Sequence, residues 1–268
     1  MIANILAIAG SDPSGGAGIQ ADIKAISANG GYAMAVLTAL TAQDTRGVQA
    51  VQLLDPGFVR QQIASVRDDI QIDAVKIGML GNAAITEAVA DALAGLDVPV
   101  VLDPVMVAKS GDRLLAAEAV AALRDALPRL ATVITPNLPE AADLLGVTEA
   151  ADSADMEVQA QALLALGAKA VVLKGGHLPG TQSPDLLAAV DARLWLPGER
   201  VATSSTHGTG CTFSSALAAA LGQGLALDAA VCRAKDYVAG AIRAAHQLQV
   251  GHGHGPTHHF HHLWQDKA

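Results

Sequence analysis

Residues 1–28 read MIANILAIAGSDPSGGAGIQADIKAISA, an apolar run at Ile2–Ala9, a glycine-rich turn at Gly10–Gly18 and helical periodicity over Gly16–Ala28. An apolar run without polar alternation is what a strand buried on both faces requires, and a helix directly after it supplies one of the covers. The glycines of the turn let the backbone approach a ligand and leave amide N–H groups exposed. No Gly-Lys-Ser/Thr follows, so the turn is not a Walker A loop, and its spacing is not that of a dinucleotide fingerprint. Taken alone, the turn fits a small-molecule site or a merely permissive bend.

The same unit repeats outward. Apolar runs at Tyr32–Ala42, Ala74–Ile77, Val98–Leu102, Thr132–Thr135 and Ala170–Leu173 predict further strands. Between them, Phe58–Val66, Asn82–Ala94 and Leu114–Leu127 have helical spacing. Leu186–Arg200 breaks the rhythm and reads as a pair of antiparallel strands, and helices over Thr209–Leu221 and Asp228–Gln249 close the chain. Strands alternating with helices specify an α/β fold with a mostly parallel sheet covered on both faces. The chain has 268 residues, 51% of them hydrophobic, which suits one domain spanning 1–268. Aromatics make up only 3%, so the core must rest on Ala, Val, Leu and Ile.

Net charge is −9, from 17 basic and 26 acidic residues, which argues against nucleic acid or an anionic membrane as partner. Two cysteines, Cys211 and Cys232, imply no disulfide framework. The N-terminus lacks a basic region and a cleavage site, and no apolar run reaches membrane-spanning length, so the expectation is a cytoplasmic protein.

In such a sheet the ligand lies beyond the carboxyl ends of the strands, so the polar residues that follow each run are the candidates. Thr206-His207-Gly208-Thr209-Gly210-Cys211-Thr212 opens a helix, where unpaired amides and the helix dipole favour an anion. Cys211 falls in the first turn, where a thiol's pKa tends to be lowered, and a thiolate there can take a proton from an attacking alcohol. Asn137 and Glu140 are three residues apart and can hold Mg²⁺ or simply cap a helix. Lys174 ends a strand before two glycines, placed to face a phosphate or to leave for solvent. Asp103, before Pro104, can order a metal's waters or shape a turn. Gln43 offers an amide able to pair with a ring nitrogen and an exocyclic amine. Six of the nine histidines crowd into residues 251–262, with no spacing that matches a structural zinc site.

Together these residues resemble the hydroxymethylpyrimidine/phosphomethylpyrimidine kinases of thiamine biosynthesis. The resemblance is carried, in family order and over nearly the whole chain, by AGSDPSGGAGIQAD, TALTAQDTRGV, KIGML, VLDPVMVAKSGD, ITPNLPEA, LKGGH, STHGTGCT and VGHGHGPTHHFH. It implies a ribokinase-like three-layer α/β/α sandwich, ATP with Mg²⁺, and phosphorylation of 4-amino-5-hydroxymethyl-2-methylpyrimidine and then of its monophosphate. By the same resemblance Gln43 reads the pyrimidine, Met79 packs on its ring, and Gly10 and Ala17 frame the pocket. Cys211 stands in the place of the superfamily's aspartate base, and Gly208, Thr209 and Gly210 form the anion hole. Lys174, Asn137 and Thr206 serve the nucleotide, Asp103 and Glu140 the Mg²⁺. Ser205 stands where relatives often carry Asn or Asp. Pyridoxine or pyridoxal kinase is the nearest competing activity, a catalytically silent ligand-binding protein the next. The Ala-rich helices suggest a homodimer.

Overall fold

The first apolar run forms strand β1 (Asn4–Ala9), buried throughout after Asn4. Gly18 begins helix α1 (Gly18–Ala28), and β2 (Tyr32–Leu37) lies parallel to β1. The computed structural model describes residues 1–106 and 117–264.

The single strand expected over Tyr32–Ala42 is two. Thr38 ends β2 by donating its hydroxyl to the Met79 carbonyl at 2.7 Å. The chain then leaves the sheet as an antiparallel hairpin of β3 (Ala39–Gln43) and β4 (Val48–Leu53). At its tip the Asp44 carboxylate accepts the Arg46 and Gly47 amides. Strand β4 has no counterpart among the sequence expectations, because its VQAVQL run stays largely exposed and carries no core stripe.

Beyond the hairpin the expected rhythm returns as α2 (Pro56–Arg67), β5 (Ala74–Ile77), α3 (Ala83–Leu93), β6 (Val100–Leu102) and α4 (Ala117–Ala126). The expected start of α4, residues 114–116, lies outside the described residues. Next come β7 (Val133–Ile134), α5 (Leu138–Leu145), α6 (Ser153–Leu164) and β8 (Ala170–Lys174). The antiparallel pair appears as β9 (Asp185–Ala189) and β10 (Ala192–Leu196). Helices α7 (Thr209–Gly222) and α8 (Leu227–Arg243) follow; the run expected to reach Gln249 tightens into a 3-10 turn at Ala244.

The sheet order is β10-β9-β8-β7-β6-β5-β1-β2. From β1 the chain first steps outward to β2, then returns to the other side of β1 at β5 and proceeds away, so the strand order reverses beside β1. That reversal opens a crevice at the strands' carboxyl ends. One face carries α2 to α6, whose Ile63, Ile85, Val89, Leu144 and Leu163 join a core with Leu6, Val75 and Leu102. The other carries α1, α7 and α8, which meet Ile5, Val101 and Val172 through Ile26, Leu217 and Val231. The result is the expected three-layer α/β/α arrangement.

Candidate active site

A cleft of about 850 Å³ lies at the carboxyl ends of β1, β5, β6 and β8. Every site residue named from sequence lines it: Gly10, Ala17, Gln43, Met79, Asp103, Asn137, Glu140, Lys174, Thr206, Gly208, Thr209, Gly210 and Cys211.

Two glycine turns meet at its centre. Gly208 caps α7 in the left-handed region, φ 76°, and a Cβ there would collide with the Gly16 carbonyl. Its own carbonyl accepts the Thr212 amide at 2.9 Å, so the amides of Gly210 and Cys211 fall in the first turn, ahead of the intrahelical ladder. The Thr209 amide is instead drawn 3.4 Å towards the Thr206 carbonyl. The turns are tied by a buried pair outside the candidates named from sequence. Asp12 accepts the Ser14 hydroxyl and the Ser14 and Ala17 amides, and its Oδ2 lies 2.7 Å from His207 Nε2. Burial raises this carboxyl's pKa, but the contacts with His207, Ser14 and Ala17 outweigh it and leave the group below its ordinary value. Both residues sit within quoted motifs; what sequence does not show is that they meet across 195 positions.

Cys211 sits half-buried at the helix start, near the Gly18 amide. The lowered thiol pKa expected at a helix N-terminus is not found. Burial pushes the thiol up to about 12, opposed by the Lys76 charge and the Gly18 amide and helped by the Asp22 and Asp103 carboxylates. Lys76, at the end of β5, is fully buried and does not line the cleft. It pairs with Asp22 at 2.8 Å, and Asp22 also accepts the Ser215 hydroxyl.

Lys174 does not leave for solvent. Its ammonium stands 3.2 Å from Asp103 Oδ1, and both groups face Gly210, where an added Cβ would come within 3.3 Å of Lys174 Nζ. Asp103 is 1% exposed; Oδ1 also takes the Thr135 hydroxyl, while Oδ2 has no partner among the described residues. Asn137 and Glu140 form a complete capping box, each side chain accepting the other's backbone amide at 2.9 and 2.8 Å. Capping and cleft-lining therefore coexist. Burial, with Asp103 nearby, raises the Glu140 carboxyl to about 7 despite the opposing Lys174 charge.

Gln43 closes the opposite end. A bulge after Ala42 sets its register, and its Oε1 lies 3.4 Å from Thr41 Oγ1. Thr41 in turn bonds Ser11 twice, its amide to Oγ and its hydroxyl to the carbonyl, each at 2.9 Å. Met79 lies against Gly10, where a Cβ would stand 2.5 Å from its methyl carbon. Thioether and bare backbone together offer a flat ring one apolar surface to pack on.

The cleft continues into a half the sequence expectations lack. Pro197 and Val201, after β10, face Val238 and Ile242 of α8, beside Lys235, which bonds Asp185 at 2.6 Å. The i, i+4 spacing of Val238 and Ile242 is the one sequence signal, and it reads equally as core packing. Among the described residues no group of three His, Cys, Asp or Glu side chains is placed to hold a metal by itself, the histidine-rich tail included.

A lysine and a helix N-terminus aimed at one point, across the cleft from Gln43 and Met79 and beside an apolar recess, define a small-molecule kinase of the three-layer α/β class. The chain belongs to the phosphomethylpyrimidine kinase family, whose model it matches over residues 12–258. It is 51% identical to the hydroxymethylpyrimidine/phosphomethylpyrimidine kinase of Escherichia coli, over 97% of this chain and 98% of that one. Among solved structures it is similar to the ADP complex of Bacillus subtilis pyridoxal kinase, with TM-score 0.88 and 39% identity over 97% of this chain and 98% of that chain. It is also similar to Clostridium difficile phosphomethylpyrimidine kinase, with TM-score 0.80 and 41% identity over 90% and 99% of the respective chains.

Proposed function

We propose that this chain transfers the γ-phosphoryl group of ATP to the hydroxymethyl oxygen of 4-amino-5-hydroxymethyl-2-methylpyrimidine and then phosphorylates the monophosphate, steps of thiamine biosynthesis. The observation that carries the reading is the convergence of Cys211, the α7 amides, Lys174 and Gln43 on one cleft. Gln43 pairs with the ring nitrogen and the amine, and Met79, seated on Gly10, packs against the ring. The apolar recess at Val201, Val238 and Ile242 takes the nucleotide base. Gly208, Gly210 and Lys174 hold the phosphoryl oxygens; Asn137 and Thr206 serve the nucleotide.

The orphaned Oδ2 of Asp103, with Glu140 beside it, suits Mg²⁺ carried in with phosphate oxygens and waters. Asp103 and Glu140 would hold the ion, which would supply charge neutralisation for the transferring phosphoryl group. Phosphoryl transfer is largely dissociative, so positioning and charge matter more than early deprotonation. With its proton on at neutral pH, Cys211 acts as a relay: it passes that proton to a phosphate oxygen as it accepts the alcohol's. A bond forms from the alcohol oxygen to phosphorus, the bridging P–O bond breaks, and ADP leaves. The enzyme works as a homodimer joined through the β3–β4 hairpin.

ADP release measured with the aminopyrimidine, its monophosphate and pyridoxal in parallel tests the reading. The first two should be substrates, and pyridoxal, which lacks the amine, should be the poorest. Cys211→Ala should slow the first step by about 100-fold or more. It should slow the second less, because a phosphate monoester, with its second pKa near 6, has little proton left to lose. Preference for pyridoxal, or an equal loss in both steps, would count against it.

A further inference from the structure

The C-terminal segment from Gly251 to His259 plays no part in the chemistry above, yet it touches both sides of the cleft. Thr45, at the hairpin tip two residues after Gln43, is 8% exposed. Its hydroxyl oxygen accepts the His252 and Gly253 amides at 3.2 and 3.1 Å, and its carbonyl accepts the His254 amide at 2.7 Å. Glycine is required by this contact: a Cβ on Gly251 would collide with Thr45 Oγ1, and one on Gly253 with the Thr45 carbonyl. Two residues beyond Gly253, the Gly255 carbonyl accepts the His207 amide at 3.1 Å, and Pro256 pairs with His207 as a bridge. A Cβ on Gly255 would stand 2.6 Å from Ser205 Oγ. The segment ends buried at Thr257, His258 and His259, with His259 Nε2 3.1 Å from Thr212 Oγ1 in α7.

One extended run therefore bonds the hairpin that carries Gln43 and the turn that carries the α7 amides. The hairpin needs such a tie. It stands outside the main sheet, and an isolated two-stranded hairpin is marginally stable in water. The acceptor oxygen is one carbon from a rigid ring, so the position of the ring-reading amide fixes that oxygen's distance to the phosphoryl group. A misplacement of about 1 Å at such a centre costs on the order of 100-fold in rate.

We propose that the segment Gly251–His259 is a positioning strap that holds Gln43 and the anion turn in one frame, with Thr45 as its anchor and positioning residue. The proposal rests on Gln43 as the ring-reading group, so one measurement is made without substrate. Thr45→Val keeps the shape and removes the acceptor. In the ligand-free enzyme it should speed amide hydrogen exchange at residues 40–47 and, through the strap, at 204–210 as well. Gly253→Ala, which pushes the strap off from the other side, should do the same; faster exchange confined to residues 44–47 in both variants overturns the strap. In turnover, Thr45→Val should raise KM for the aminopyrimidine about tenfold, in line with one or two lost hydrogen bonds, with KM for ATP little changed and Thr45→Ser restoring it. Combined with Gln43→Leu it should add nothing further, because Thr45 acts through Gln43. Equal rises in both KM values, or additive losses, overturn the positioning role. A wild-type enzyme that ignores the aminopyrimidine sinks the substrate reading instead, and the exchange result then judges the strap.

Discussion

Glu140 is almost closed to solvent, and its capping bond with Asn137 is not enough to offset that burial. The folded protein holds the Glu140 proton to about pH 7, against 4.5 for the free side chain. The folded state therefore binds more protons between those values, and stability falls as pH rises through them, with the full cost present above 7. Glu140→Gln keeps a capping-box acceptor and carries no charge. In urea denaturation of the ligand-free enzyme it should gain up to about 3 kcal/mol at pH 8 and almost nothing at pH 4.5, since one pKa unit is worth about 1.4 kcal/mol. A gain equal at both pH values would show that the buried charge is not its source. The same logic separates legible residues from illegible ones. Gln43, Lys174 and Cys211 could be placed from sequence because each ends a strand or opens a helix. The high thiol pKa could not, because it comes first from burial, and then from carboxylates at positions 22 and 103, all of which only folding brings about.

Helix α7 shows what an element needs in order to run beneath a cleft. Thr212 through Leu221 are all buried, and six of those ten residues are alanine or serine small enough to let α1 and α8 approach. Its start was readable from glycine spacing alone, but the reason for glycine at 208 lies in the other turn. An alanine there would have to adopt φ near 76° and displace Gly16. The left-handed conformation costs about 1–2 kcal/mol for an L-residue, before the collision is counted. Relief by rotating the cap would swing the first amides of α7 away from the phosphoryl site. Gly208→Ala should therefore lower kcat by about 100-fold, the cost of a lost oxyanion donor, while circular dichroism at 20 °C still reports a folded chain. Unchanged kcat in a folded variant would free those amides of any catalytic part. The hairpin was less legible than the helix. The bond that breaks Tyr32–Ala42 runs from Thr38 to Met79, 41 residues away, and no local pattern announces it.

At the scale of the molecule, alternation in the sequence specified a covered parallel sheet, but not that the chain would return to the far side of β1 after the hairpin. That lateral order puts the crevice beside β1 and leaves β3–β4 as an outlier with main-sheet neighbours only at its root, where the Leu54 amide meets the Thr38 carbonyl. Along β3, Thr41 and Gln43 line the cleft, so Leu40 and Ala42, alternating with them, point the other way. On that back face Leu40 is 47% exposed, opposite Gln52, with Ala42 near Ala50, while Val51 and Leu53 lie on the other face, opposite Thr41 and Ala39. The strap fixes the tip of this hairpin and leaves its back uncovered. Apolar side chains on a flap of marginal stability are best covered by the same flap of a second copy, which shields both at once. Sedimentation equilibrium should give the mass of two 27.1 kDa chains. Leu40→Glu, which sets two like charges against each other across the contact, should reduce that to one chain. It should also raise KM for the pyrimidine while sparing that for ATP, because the flap that loses its cover is the one that carries Gln43. A dimer that survives the charge, or a wild-type monomer, would mean that the hairpin is steadied by the strap alone.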